Sequence, residues 1–347
     1  MKRISLIVLL VFLCLAAVQR PAFAAEEGGV TIKLATLLPK DSGGVFEKFR
    51  KEVAHRTGNQ VRIKIYYGGV QGDEFDVLRK IQYKQLHGGS FTGHGLGRIV
   101  PAVRITELPY LFKNYGELSY VRSQLEETMN SLFFQEGYVV LGWYETGFAY
   151  VFSKVPITSV EVAREQKWWM WEGDPMQQAT FDAMGISPVS LSLTDVMTSL
   201  STRLIDAAAT TPFGAVAFRW YTRFKFMGEY PIANGIVAVV VTREVWDKIS
   251  ADNRQKIQEF SKELFAGMVK ERRASNDQSI EVLKKAGISV VPFDTQSEAM
   301  QFVLSAAEKA RENMVGQLYT RELLDRTESL LEEYRGRNPG SDVVKIH

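Results

Sequence analysis

Residues 30–35 (VTIKLA) alternate apolar and polar positions, the period of a half-buried strand. Residues 36–44, rich in Pro, Asp, Ser and Gly, break the pattern. Residues 45–57 resume it at helical spacing, with Phe46, Phe49 and Val53 on one face. A second alternating run at 61–67 (VRIKIYY) is closed by Gly68 and Gly69, and 73–85 returns to helical spacing through Phe75, Leu78 and Ile81. Strand, helix, strand, helix at these intervals predicts an α/β fold, a mainly parallel sheet flanked by helices. The glycine-dense 88–97 (GGSFTGHGLG) predicts a loop, and 138–143 (YVVLGW) predicts a strand running into a connector at Gly147.

A second α/β pattern starts at Lys167. It predicts a strand over 167–171, a helix over 175–184, a strand over 186–191, a helix over 194–202, a strand over 204–208 and a helix after Pro212. The unbroken apolar run 236–242 (IVAVVVT) predicts a strand buried on both faces. Helices over 242–270, 296–319 and 321–334, with a short strand at 288–291, complete the chain. Two hinged α/β lobes are expected, the first from 25–148 plus 235–275, the second from 149–234 plus 276–347 with the C-terminal helices. The crossings are placed at 147–153 and 230–235, with a ligand cleft between the carboxyl ends of the two sheets.

The first residues change the picture of where the chain works. Lys2 and Arg3, an apolar run over 4–18 and Ala22-Phe23-Ala24 read as a secretory leader over 1–24, cleaved near Ala24. Without Lys2, Arg3 and Arg20 the formal charge falls from +2 to −1, and no basic tract remains to suit nucleic acid. Cys14 is the chain's one cysteine, so the exported part carries no disulfide and must be held by its core. No later segment has the apolar length of a membrane span.

Five further segments are informative in their order: GGVQGDE (68–74), ELPYLF (107–112), ETGF (145–148), MGISPVSLSLTDVMTSLSTRLIDAAATTP (184–212) and DNRQKIQE (252–259). Together they resemble the solute-binding proteins of TRAP transporters, the dicarboxylate-binding type. The resemblance implies a two-lobed, Venus-flytrap periplasmic receptor, commonly monomeric, that closes on a small molecule and delivers it to membrane permease subunits. It implies no cofactor and no catalysis. It also implies a carboxylate anchored by an arginine of a K-I-R segment and a second arginine after G-F. Aligned on Lys167 and on Gly147-Phe148, those positions hold Trp169 and Ala149, and Thr211 replaces an asparagine before Pro212.

An indole cannot supply the planar fork that binds a carboxylate, and a desolvated carboxylate without a cation is strongly disfavoured. A neutral, apolar or aromatic solute is therefore expected. Candidate ligand contacts are Trp169, Trp171, Ala149, Thr211, Phe213, Tyr150, Glu74 and His94. Each has a plainer reading: core packing for the tryptophans, a helix-start carboxylate for Glu74, a helix cap for Thr210 or Thr211, a structural histidine for His94. On a strand Trp169 and Trp171 share a face and Trp168 opposes them. Asp174 before Pro175 reads as an N-cap. A cage of Trp169, Trp171 and Tyr150 with Glu172 would instead suit a quaternary ammonium. A lipophilic carrier or sensor without a permease is a further alternative. Enzymes fit poorly: His55, His87, His94 and His347 show no metal-ligand spacing, no metal site is expected, and nucleotide-loop and G-x-S-x-G signatures are missing.

Overall fold

The computed structural model describes residues 29–42, 44–292 and 294–340. The expected leader and cleavage site lie outside them. The first unit opens with β1 (Val30–Thr36), α1 (Gly44–Arg56) and β2 (Val61–Tyr66). Next come α2 (Glu74–Gln82), β3 (Gly88–Thr92), α3 (Gly93–Ile99) and α4 (Tyr115–Gln135). β4 (Tyr138–Ser153) leads into the second unit: α5 (Val160–Glu165), β5 (Trp169–Trp171), α6 (Pro175–Met184), β6 (Val189–Leu191), α7 (Val196–Ser201), β7 (Ala207–Thr210), α8 (Pro212–Ala217) and β8 (Phe226–Gly228). The chain returns through β9 (Ala233–Thr242), α9 (Arg243–Trp246) and α10 (Ala251–Lys285), then adds β10 (Ser289–Val291), α11 (Glu298–Asn313) and α12 (Arg321–Arg337).

The result is a two-lobed α/β fold whose sheets are mixed. β1 lies between β2 and β3 in parallel, while β9 runs antiparallel to both β3 and β4. Beyond Ala149 the same β4 pairs antiparallel with β7 and β8, and β10 lies parallel to β8. The parallel pair β5/β6 joins this second sheet through a bridge from Trp168 to Ala207.

The expected connector after Trp143 is therefore the second half of one strand. YVVLGWYETGFAYVFS is rich in aromatic and β-branched residues on both sides of Gly147, and its residues are buried or half-buried along the whole run, so pairing carries the strand past the glycine. Pairing with β9 is irregular between Glu145 and Gly147 and ends at Ala149, beyond which β4 belongs to the other sheet.

Other expectations shift for local reasons. The segment 88–97 is strand then helix rather than loop, its glycines serving close approach (described with the site). The single helix expected over 242–270 is two: it stops after Trp246 and restarts at Ala251, where Ser250 Oγ accepts from the Asn253 amide at 3.3 Å. α10 then runs 35 residues, about 50 Å, so the expected lobe boundary at 275/276 falls inside one helix. α12, expected in the second lobe, packs on α4 of the first, where Arg335 pairs with Glu117 at 2.8 Å.

The first unit's core forms where α1 and α10 cover the sheet. Phe265 sits 6.0 Å from Phe46, 5.5 Å from Phe49 and 5.9 Å from Tyr144, ring centre to ring centre. Such a buried ring has no room to collapse around. Phe265→Ala is expected to cost about 3–5 kcal/mol of stability in urea unfolding, whereas Val282→Ala, on an exposed position of α10, should stay within about 0.5 kcal/mol.

Candidate functional site

β4 and β9 cross between the units, and beside them lies a cavity of about 350 Å³ lined from both sides. Seven of the eight candidates line it: Trp169, Trp171, Ala149, Thr211, Phe213, Glu74 and His94. Tyr150 does not. Ala149 and Val151 face the cavity, and strand alternation turns the buried Tyr150 to the opposite face. Glu172 is exposed and also away from the lining, so the expected quaternary-ammonium cage lacks two of its four members.

The tryptophans divide as strand periodicity requires. Trp169 and Trp171 share a face with ring centres 5.2 Å apart, and Trp220 meets Trp169 edge-on at 5.2 Å. Trp168 packs on Phe181 of α6 from the other face, its indole N–H donating to the Ala163 carbonyl at 2.6 Å. The cavity reaches past β5 to this side as well, between α6 and α11, where Phe181, Met184 and Val303 line it. The Trp169 N–H is committed to the Leu191 carbonyl at 3.1 Å, so this residue offers a solute its ring face and no donor.

Glu74 and His94 are held by structure. The Glu74 carboxylate accepts from the Thr92 amide at 2.6 Å, the Thr92 hydroxyl at 2.8 Å and the Gly95 amide at 2.7 Å. Burial nevertheless outweighs these donors and pushes its pKa up to about 7. The glycines explain themselves here. A Cβ on Gly95 would stand 2.6 Å from that carboxylate, and one on Gly93 would collide with the Glu107 carboxylate. Thr211 caps α8, its hydroxyl accepting from the Gly214 amide at 3.0 Å, while its neighbour Phe213 faces the cavity.

Asp174 does two jobs. One oxygen caps α6, accepting from Met176 and Gln177 amides at 3.0 and 3.1 Å, as expected from Asp-Pro. The other lies 2.9 Å from the Arg104 guanidinium and 3.7 Å from His94 Nδ1, both contributed by the first unit. Arg104 also lies 2.9 Å from Glu107. The His94 ring is stacked between Phe75 at 4.5 Å and Trp171 at 4.9 Å, again spanning the cleft. Burial pushes the Asp174 pKa up, but the Arg104 charge outweighs it and holds the carboxyl well below its ordinary range. An ion pair therefore spans the cleft.

Residues 39–316 match the DctP family model, described as bacterial extracellular solute-binding protein, family 7. The chain belongs to this family. A solute-binding protein of Chromohalobacter salexigens is 24% identical over 271 residues, 74% of this chain and 76% of that one. Two solved structures share the fold. The sugar acid-binding DctPAm of Advenella mimigardefordensis, in complex with galactonate, has a TM-score of 0.81 at 15% identity, covering 88% of this chain and 99% of that one. A TRAP periplasmic solute-binding protein of Desulfovibrio salexigens with bound orotic acid has a TM-score of 0.78 at 18% identity, covering 89% and 99%. DctP-family proteins bind solutes and are not enzymes. Among the described residues no helix is long and apolar enough to cross a membrane.

Among the cavity residues that sequence reasoning missed are Arg104, Trp220, Asn234 and Arg272. The polar three sit outside any motif, and Trp220 follows Arg219, which has a left-handed φ of 58°.

Asp174→Asn preserves the cap oxygen but removes the charge facing Arg104. It is expected to lower stability at pH 7 by about 3 kcal/mol and to enlarge the ligand-free radius of gyration in solution scattering. A carboxyl with a depressed folded pKa stabilises above its unfolded pKa and loses that contribution as pH falls through the folded value. The gap between wild type and variant should therefore narrow below about pH 4 in urea titrations.

Proposed function

We propose that this DctP-family protein is the exported receptor of a TRAP-type uptake system, and that its cargo is a small molecule with a largely apolar or aromatic body rather than a small dicarboxylate. The observation that carries this is the lining of Trp169, Trp171, Trp220, Phe213 and Met176 around a cavity of about 350 Å³. An apolar body buried there gains roughly 25 cal/mol per Å² of surface removed from water, while a sugar acid's hydroxyls would find few partners. Galactonate and orotate in the related structures are those proteins' ligands, and the positions where the family's anchoring arginines are expected hold Trp169 and Ala149 here. The leader over 1–24, cleaved near Ala24, would send the protein to the periplasm, and the permease subunits would take the solute from it.

Native mass spectrometry of protein purified from a bacterial periplasm should reveal a bound aromatic or alkyl compound. Tight, selective binding of succinate by the emptied protein would sink the reading. For an aromatic solute, Trp171→Ala should weaken binding about 10- to 100-fold in calorimetry.

A further inference from the structure

α10 carries two adjacent arginines with opposite fates. Arg273 lies 2.8 Å from Glu145, which also receives Arg122 at 3.0 Å. Arg272 is 93% buried, being 7% exposed, and lines the cavity. Among the described residues its guanidinium has no carboxylate partner and no hydrogen-bond acceptor. It lies over the Phe213 ring, 3.7 Å from the guanidinium carbon to the ring centre. The neighbouring Glu271 is exposed, and the nearby Tyr144 hydroxyl is buried and uncharged. Burial pulls its pKa down, though an arginine remains charged at any ordinary pH.

A second polar side chain facing the same cavity is also unsatisfied. Asn234 is fully buried, and neither its amide nitrogen nor its oxygen has a partner among the described residues. Leaving buried groups unmade costs free energy, and most so for a charge. Elsewhere in the cleft the carboxylates face cations or donors: Asp174 and Glu107 each lie 2.9 Å from Arg104, though Arg104 Nε and Asp174 Oδ2 make no well-aligned hydrogen bond, and Glu74 accepts from its three donors. Arg272 therefore lacks an opposite charge and Asn234 a hydrogen-bond partner, both on the wall of a largely apolar cavity.

We infer that Arg272 is the cargo's anchor: it receives a single carboxylate or like anionic group of the solute, Asn234 supplies a further hydrogen bond, and the solute's apolar body lies along Phe213 and the tryptophans. The inference rests on the reading of this cavity as the cargo site and deepens it from an apolar molecule to an amphiphilic monoanion. It also revises the expectation of a neutral solute, which rested on the positions 149 and 169 alone. The guanidinium comes from α10 instead, and stacking on Phe213 leaves its N–H edge free to fork a carboxylate.

The test uses the mature protein, unfolded and refolded to empty it, with phenylacetate through 6-phenylhexanoate and the matching primary amides as probes in calorimetry. At least one acid should bind about 10- to 100-fold more tightly than its amide. In Arg272→Met that ratio should fall to about 1, and Arg272→Lys should restore part of it. Unliganded Arg272→Met should unfold at a temperature no lower than wild type, which separates a ligand anchor from a structural cation. Equal binding of acid and amide overturns the anchor and leaves the apolar slot standing. Failure of every acid in the series overturns the amphiphilic monoanion. Binding of succinate alone overturns the apolar slot, and its insensitivity to Arg272→Met would overturn the anchor with it.

Discussion

Arg104 and Asp174 face each other across the gap between the two lobes, and both are almost wholly buried. Moving either charge out of water costs several kcal/mol, offset only when the opposite charge is in place with good geometry. The pair can therefore stay dry only while the lobes are together. Glu107 on one side and the α6 amides on the other fix the geometry of the two partners. His94, held between Phe75 and Trp171, adds an aromatic contact at the same seam. Shutting the cleft by protein–protein contacts leaves the cargo to decide how stable the shut state is, since a ligand shifts such an equilibrium only by its preference for one state.

The lobes are not joined by loose linkers. β4 is shared between the two sheets, β9 returns beside it, and α10 packs along β4 and against both α1 and α8. Any motion between the lobes would have to bend these continuous elements, and the pairing of β4 with β9 is irregular near Gly147. The buried seam of α10 changes character at this level. It is apolar through Ile257, Phe260, Leu264 and Met268, polar at Arg272, Asn276 and Ser279, and apolar again at Leu283. Asn276 uses that polar stretch to tie the crossing, donating to the Thr146 carbonyl at 2.8 Å and accepting from the Phe213 amide at 3.0 Å. Arg272, one turn earlier, has no such employment within the protein, and that difference is what aims it at a solute.

Exchanging a guanidinium for an indole on β5 does not make a cleft uncharged. It moves the charge to a different wall and changes what lies around it. A cation backed by Phe213 and faced by tryptophans discriminates by shape and by one charge, whereas a pair of forked arginines discriminates by two.

Most of the architecture was legible along the chain because it follows from short-range periodicity. The strands β1, β2 and β9 and the helices α1, α2 and α6 follow from alternation, helical spacing and caps such as Asp174-Pro175. α4 was equally legible in principle, with Leu118, Val121, Leu125, Met129 and Phe133 at helical spacing, yet no element was expected over 98–137. Trp169 and Trp171 sharing a face opposite Trp168 also followed from the sequence, since a strand admits no other arrangement. What it could not decide was whether a polar residue ends up paired. Helical spacing from Leu264 and Met268 puts Arg272 on the buried seam and Arg273 beside it, but only the packing of α10 against β4 gives Glu145 to Arg273 and the cavity wall to Arg272. The same holds for Asp174, whose cap is local and whose second oxygen meets Arg104, 70 residues earlier in the chain, only because the two lobes face each other.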